Sequence, residues 1–140
     1  MSLRIGLTED IESCQALRRV VFIEEQQVPE AEELDGRDAQ ALHLLATIEG
    51  VPVGCARLLI AGETAKIGRV CVLRALRRQG IGTALIEAAL EVLRDCPGVV
   101  RARLGSQTHA IGFYDGLGFK VEGPEYLDAG IPHRDMVRTL

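Results

Sequence analysis

The apolar positions of this chain change their spacing along its length, and each change marks an element. Leu3 to Leu7 predicts a short strand. Thr8, Glu9 and Asp10 then supply a capping residue and an acidic first turn, and Ile11, Cys14, Leu17 or Arg18, and Val21 follow at helical spacing. That helix is expected to fade near Val28-Pro29, because proline disfavours helical geometry in the residue before it. An acidic loop follows from Glu30 to Asp38. The runs Leu42 to Ile48 and Val53 to Ile60, joined by Glu49-Gly50-Val51-Pro52, predict an antiparallel hairpin that Lys66 to Val72 continues as a meander.

Further along, the helical period returns. Ile81, Leu85, Ala88, Ala89 and Val92 form an apolar stripe, Thr83, Glu87, Glu91 and Arg94 occupy the wet face, and Pro97-Gly98 stops the helix. Val99 to Leu104 reads as the next strand, Thr108 to Leu117 as a short helix, and Gly118 as its left-handed C-terminal residue. Phe119 to Glu122 and Arg134 to Leu140 supply the last strand pair. The order is therefore strand, helices, three strands, helix, strand, helix, two strands, which predicts a mixed α/β sheet with helical crossovers. Residues 1–140 need only one domain, without a repeat, a linker or a low-complexity segment.

The segment Arg77-Arg78-Gln79-Gly80-Ile81-Gly82 joins the strand-like run Arg69-Val70-Cys71-Val72 to the amphipathic helix. A helix start leaves about four N–H groups without intrahelical partners, and the aligned peptide dipoles add partial positive charge there. Two glycines let a diphosphate approach those amides, and two arginines add charge at the rim. A nucleotide-bearing cofactor is the first expectation. The pattern is not the dinucleotide fingerprint G-x-G-x-x-G, because Leu85 stands where the third glycine would fall, and no G-x-x-x-x-G-K-[ST] run exists.

Composition narrows the partners. Among 140 residues, 47% are apolar and 26% charged, which is globular, and a net charge of −4 argues against nucleic acid. No apolar run approaches the roughly 18 residues of a membrane span and the first residues form no signal peptide, so a cytoplasmic protein without a membrane partner is expected. Cys14, Cys55, Cys71 and Cys96 lie far apart, without C-x-x-C spacing or a neighbouring His cluster, so neither a metal site nor a disulfide framework is indicated. Cys71 reads either as a small core residue or as a nucleophile.

Two separated signatures carry a resemblance. Val70-x-Val72 with Arg77-x-x-Gly80-x-Gly82, followed by Ala110-x-x-Phe113-Tyr114-x-x-x-Gly118-Phe119, makes the chain similar to GNAT-superfamily N-acetyltransferases over nearly its whole length. A third, Arg18-x-x-Val21-Phe22-x-x-Glu25-Gln26, resembles the ElaA-like branch and, less closely, acyl-homoserine-lactone synthases. The resemblance implies a mixed, mostly antiparallel sheet of six to seven strands, flanked by about four helices, with splayed central strands. It implies acetyl-CoA as co-substrate, no metal, and a small-molecule or peptide amine as acceptor. The cofactor would lie along Val70, Cys71 and Val72, with its pyrophosphate on the amides of Gln79, Gly80, Ile81, Gly82 and Thr83 beside Arg77 and Arg78. A strand N–H near Cys71 or Val72 would stabilise the oxyanion.

Tyr114 matches the family's usual tyrosine acid, which would protonate the departing sulfur; its other reading is a ring packed in the core. Gln107 stands where many relatives carry an asparagine that touches the cofactor, which puts its ligand role in doubt. For the base that must deprotonate the amine, Glu24, Glu25, Glu33, His43 and His109 are all candidates, with Glu25 and His43 on segments that flank the acceptor side in this fold. The acidic run Glu30, Glu32, Glu33, Asp35 and Asp38 reads as a mouth for cationic amines or as a solvated loop. Arg18 and Arg57 read as grips for a carboxylate or as ties between this loop and the sheet. His133 and Arg134 read as rim or hairpin residues. An acyl-CoA-sensing module without turnover is a second function class; acyl-homoserine-lactone synthesis is disfavoured by the short chain and the absence of tryptophan. A homodimer stays open, since no segment declares an interface.

Overall fold

The computed structural model describes residues 2–140. Strand β1 (Leu3–Thr8) leads into helix α1 (Ile11–Arg18), whose start is fixed by Asp10: its carboxylate accepts from the Ser13 amide at 3.1 Å and from the Ser13 hydroxyl at 2.6 Å. The helix then widens into π-helical turns over Arg19–Glu25 and ends at Gln27, which takes a left-handed φ of 58°. The stop expected at Val28-Pro29 thus comes slightly earlier. The Gln26 and Val28 amides close on the Val21 and Phe22 carbonyls, so the end is capped before the proline is reached. The acidic segment is not a plain loop: it contains helix α2 (Glu30–Glu33) and a 3₁₀ turn at Asp38–Gln40.

Seven strands form one sheet in the order β1-β2-β3-β4-β5-β7-β6, antiparallel except for the β4–β5 pair. Strands β2 (Leu42–Ile48) and β3 (Val51–Ala61) are joined by Glu49 and Gly50 alone, at φ 52° and 77°. Two left-handed residues match the right-handed twist of the hairpin, so Val51-Pro52, expected in the turn, belong to β3 instead. Strand β4 (Thr64–Val72) follows, then helix α3 (Ile81–Arg94), strand β5 (Arg101–Gln107) and short helix α4 (Ile111–Asp115). The last two strands, β6 (Lys120–Asp128) and β7 (Ile131–Thr139), run longer than expected. Gly123-Pro124, which reads as a strand end, is absorbed in a bulge between Glu122 and Tyr126, and the turn falls at Ala129-Gly130.

Helices cover both faces of the sheet. On one, α3 buries Ile81, Leu85, Ile86, Ala89, Leu90 and Leu93 against Leu44, Ala46, Val53, Ala56 and Leu58. The expected stripe is rotated: Ala88 and Val92 sit at its margin, and the bulkier Ile86, Leu90 and Leu93 turn inward, where each fully buried side chain contributes about 1.5–3 kcal/mol. On the other face, Cys14, Leu17 and Val21 pack on Cys55 and Cys71. Strand β3 is therefore buried without alternation from Val53 to Leu58.

Gly54 marks where the layers come closest: a Cβ there would lie 2.8 Å from the Cys71 carbonyl oxygen and 3.2 Å from Leu85 Cδ1. Backbone cannot yield as a flexible side chain can. Gly54→Ala is expected to destabilise the fold by about 1–3 kcal/mol in urea unfolding, and an unchanged midpoint would contradict this packing.

Candidate active site

The site begins where two strands part. Strand β4 pairs with β5 only over Thr64–Lys66 against Arg101–Arg103. Immediately beyond, β4 carries a bulge against β3: Cys55 opposes Cys71, while Arg57 opposes Gly68, so that Arg69 and Val70 face Ala56 alone. Arg69 takes a φ of 51°, a left-handed conformation that costs a non-glycine residue of order 1 kcal/mol. A bulge bends and twists its strand, which carries β4 away from β5 and leaves its edge from Gly68 to Val72 without a strand partner. Two cavities, of about 280 and 470 Å³, open along that edge and share Gln26 and Val70 in their walls.

The larger cavity runs from Val70, Cys71 and Val72 to Arg77, Arg78, Gly80, Ile81, Gly82 and Thr83. Gly80 stands before α3 with φ 83° and offers no side-chain cap, so the amides of the first helical turn are free of internal partners. Gln79 lies in the same turn. Arg78 is exposed, but Arg77 is not a free rim charge: it meets Glu25 with both terminal nitrogens at 2.5 and 2.7 Å and donates through Nε to the Val72 carbonyl at 2.9 Å. Arg77 thus braces the turn. The Cys71 thiol lies 3.5 Å from Cys55 Sγ and is buried with Leu17 and Val21 on the α1 side, as a core residue is.

The smaller cavity lies between β4 and β5, walled by Phe22, Gln26 and Val28 on one side, by Gln107, Tyr114, Tyr126 and His133 on the other, and by Glu32, Glu33 and Arg69. Tyr114 packs edge-on to Phe119 at 6.1 Å, and burial raises its phenol above the ordinary value, so the hydroxyl keeps its proton. Gln107 reaches across the gap: its Nε2 donates to Gln26 Oε1 at 3.1 Å, and its own Oε1 meets His109 Nε2 at 2.7 Å.

Of the base candidates, only Glu33 lines this cavity. Glu25 is held by Arg77, whose hydrogen bonds lower its carboxyl pKa. His43 is buried beneath the acidic segment, with Nε2 2.8 Å from the Asp38 carbonyl; a carbonyl only accepts, so Nε2 carries the proton. Neither reaches a cavity wall, because each answers a structural charge or carbonyl nearer to it. Glu24 and His109 are exposed.

Arg18 and Arg57 are ties. Arg18 is 1% exposed and bonds Glu33 at 2.6 Å and Asp38 at 3.0 and 2.7 Å. Arg57 grips Asp35 at 2.8 and 2.7 Å and reaches Asp38 at 3.2 Å. Three carboxylates, Glu33, Asp35 and Asp38, are thus drawn onto the sheet by arginines from α1 and β3, while Glu30 and Glu32 stay exposed and Glu32 and Glu33 line the smaller cavity. Arg69 and Gln26 were not singled out from sequence. Gln26 was legible as part of the α1 signature; the only trace of Arg69 was a charge beside the apolar run Val70 to Val72.

Comparison with known proteins shows the family of the chain. A family profile described as "Acetyltransferase (GNAT) domain" matches residues 10–140. The uncharacterized protein YyaT of Bacillus subtilis is 38% identical, over 98% of this chain and 94% of its own length. Among solved structures, an acyl-CoA N-acyltransferase from Pseudomonas aeruginosa superposes with a TM-score of 0.88 at 31% identity, over 98% of this chain and 99% of that one. Escherichia coli ElaA gives 0.84 at 30% identity, over 98% of each chain. A GNAT acetyltransferase from Elizabethkingia anophelis, solved with acetyl-CoA bound, shares the fold at a TM-score of 0.77 and 16% identity, over 99% and 98% of the two chains. The chain belongs to the GNAT acetyltransferase family, and ElaA is among its structural neighbours. Among the described residues no helix is long and apolar enough to cross a membrane, and no three His, Cys, Asp or Glu side chains gather as metal ligands.

The arginine ties carry a pH signature. Hydrogen bonds from Arg57 lower the Asp35 carboxyl from 3.8 to about 2, and although burial alone would raise Asp38, Arg18 holds it below its ordinary range too. Depressed carboxyls stabilise the fold fully above their unfolded pKa, and that contribution is lost as pH falls through the folded values. Thermal denaturation should therefore show a stability loss between about pH 4 and 2 that shrinks in Asp35→Asn; an identical acid profile in that variant would contradict the tie.

Proposed function

We propose that this protein transfers the acetyl group of acetyl-CoA to a primary amine, by direct attack of the amine with both substrates bound. One observation carries the reading. The unpaired edge of β4 leads without interruption from the Tyr114 cavity to the open amides of α3.

The residues present fit the cofactor on physical grounds. An edge strand with unpaired amides and carbonyls accepts an extended, amide-bearing arm as it would another strand. At its end the α3 amides and the helix dipole suit a pyrophosphate, and a Cβ at Gly82 would meet only Phe113 Cζ, at 3.7 Å, so this wall is open. Val70, Cys71, Val72, Gln79, Gly80, Ile81, Gly82 and Thr83 would hold it, with Arg78 adding charge at the rim and Arg77 fixing the turn. Acetyl-CoA bound there supplies the activated thioester. A backbone N–H of the β4 edge stabilises negative charge on the reacting carbonyl oxygen. The Tyr114 hydroxyl, kept protonated by its burial, would donate its proton to the departing sulfur, and the proton that the amine releases as its bond to the acetyl carbon forms would pass through water to restore the phenol. The hydrogen bond from Gln107 to Gln26 ties β5 to the end of the N-terminal helix across the parted strands.

Calorimetry should detect acetyl-CoA binding to the wild type and its loss in Gly82→Glu, which places bulk and like charge at the phosphate site. Tyr114→Phe is expected to lower kcat by on the order of tenfold to a thousandfold with CoA affinity retained. Unchanged affinity in the first variant contradicts the placement of the cofactor. Tight CoA binding by the wild type with no amine-dependent CoA release contradicts the transfer reading and favours an acyl-CoA sensor.

A further inference from the structure

Three arginines surround the acidic segment, and they are not equally satisfied. Arg18 and Arg57 each form a bidentate pair at 2.7–3.0 Å, which uses the near oxygens of Glu33, Asp35 and Asp38. Arg69 comes third to the same carboxylates. Its Nη2 reaches Asp35 at 3.4 Å and the Glu32 and Glu33 carbonyls at 3.3 Å, while its buried Nε, 3.5 Å from Glu33 Oε1, meets no acceptor in hydrogen-bond geometry. Nη1 has no partner among the described residues. A guanidinium offers five donors in a rigid fork, and this one, in a residue that lines the smaller cavity, keeps Nη1 free and Nη2 only in long contacts. Burial and the repulsion of Arg57 disfavour its charge, and Asp35 and Glu33 offset this only in part.

The remaining wall sets the kind of anion. Glu32, Glu33 and Asp128 line the same cavity with Lys66 and His133, so acids and bases face one another across it, and such a mixed wall suits a molecule that carries a positive charge as well as a carboxylate better than a dianion such as a phosphate monoester. Arg69 adjoins Val70, which lies on the wall common to both cavities, so an anion on Arg69 would sit beside the place where the amine must attack. We propose that the acceptor carries a carboxylate a few bonds from its amine, as a free amino acid does, and that Arg69 grips that carboxylate and so determines specificity. This rests on the acetyltransferase reading.

The experiment compares matched acceptors with the purified protein and acetyl-CoA: phenylalanine with phenethylamine, lysine with cadaverine, and alanine with ethylamine. The wild type is expected to favour the carboxylate-bearing member by on the order of tenfold to a hundredfold in kcat/KM, as loss of a charge-assisted pair implies. Arg69→Met should bring that ratio toward one, chiefly through KM for the amino acid, and Arg69→Lys should retain part of it; CoA binding reports that each variant is folded. Equal turnover of both members by the wild type, or a ratio unmoved in Arg69→Met, overturns the carboxylate grip and leaves acetyl transfer standing. No acetylation of any member by CoA-bound protein overturns both.

Discussion

Parallel pairing between β4 and β5 ends at Lys66, and the backbone groups beyond it must then find another use. A left-handed Arg69 makes the separation stable: the bulge turns β4 outward while β3 continues to pair with it on the other side, so the strand is anchored by one edge and free on the other. The strain of one residue thus creates an interior edge strand. Ordinary sheets avoid such edges because they invite unwanted pairing. Here the edge is recessed between two layers of protein, where an extended small molecule reaches it and a second sheet does not.

Two kinds of scaffold hold the walls apart. On the α3 side the support is apolar and dense, from Leu85 and Ile86 to Leu93. On the α1 side it is ionic: Arg18, Arg57, Glu33, Asp35 and Asp38 form a nearly charge-balanced network in which most members satisfy one another. Replacing such a network by hydrocarbon can preserve stability, so its presence points to directionality. Planar guanidinium forks fix the acidic segment at defined angles, and Glu33 and Arg69 are presented to the cavity as a consequence.

The fold was legible wherever side-chain period and turn chemistry agreed. The two helices that flank the sheet, the meander and the order of elements follow from that agreement, as does the phosphate-type turn, because glycine positions and helix amphipathicity are local. What was not legible arose from contacts between distant segments. Glu25 and His43 carry base-type chemistry in sequence, yet Arg77 engages the first from 52 positions away, and the second is bound by a carbonyl of the folded acidic segment. Strand ends shifted for a related reason: Val51-Pro52 and Gly123-Pro124 look like breaks, but a two-residue turn and a bulge accommodate them. Arg69 was invisible as a site residue because its importance lies in a backbone dihedral and in the prior commitment of the carboxylates around it.

The hydrogen bond from Gln107 to Gln26 joins residues 81 positions apart, and the Arg77–Glu25 pair joins residues 52 apart. The first spans the gap between β4 and β5, and the second ties the N-terminal helix to the turn before α3. Contacts of such long sequence separation carry the largest loop-closure entropy, so they form after local helices and hairpins are in place. The gap therefore takes its final shape only when the N-terminal helix and β5 have both docked. The enclosure is thus assembled from segments that lie far apart in the chain, and competence to bind small molecules there depends on their docking together.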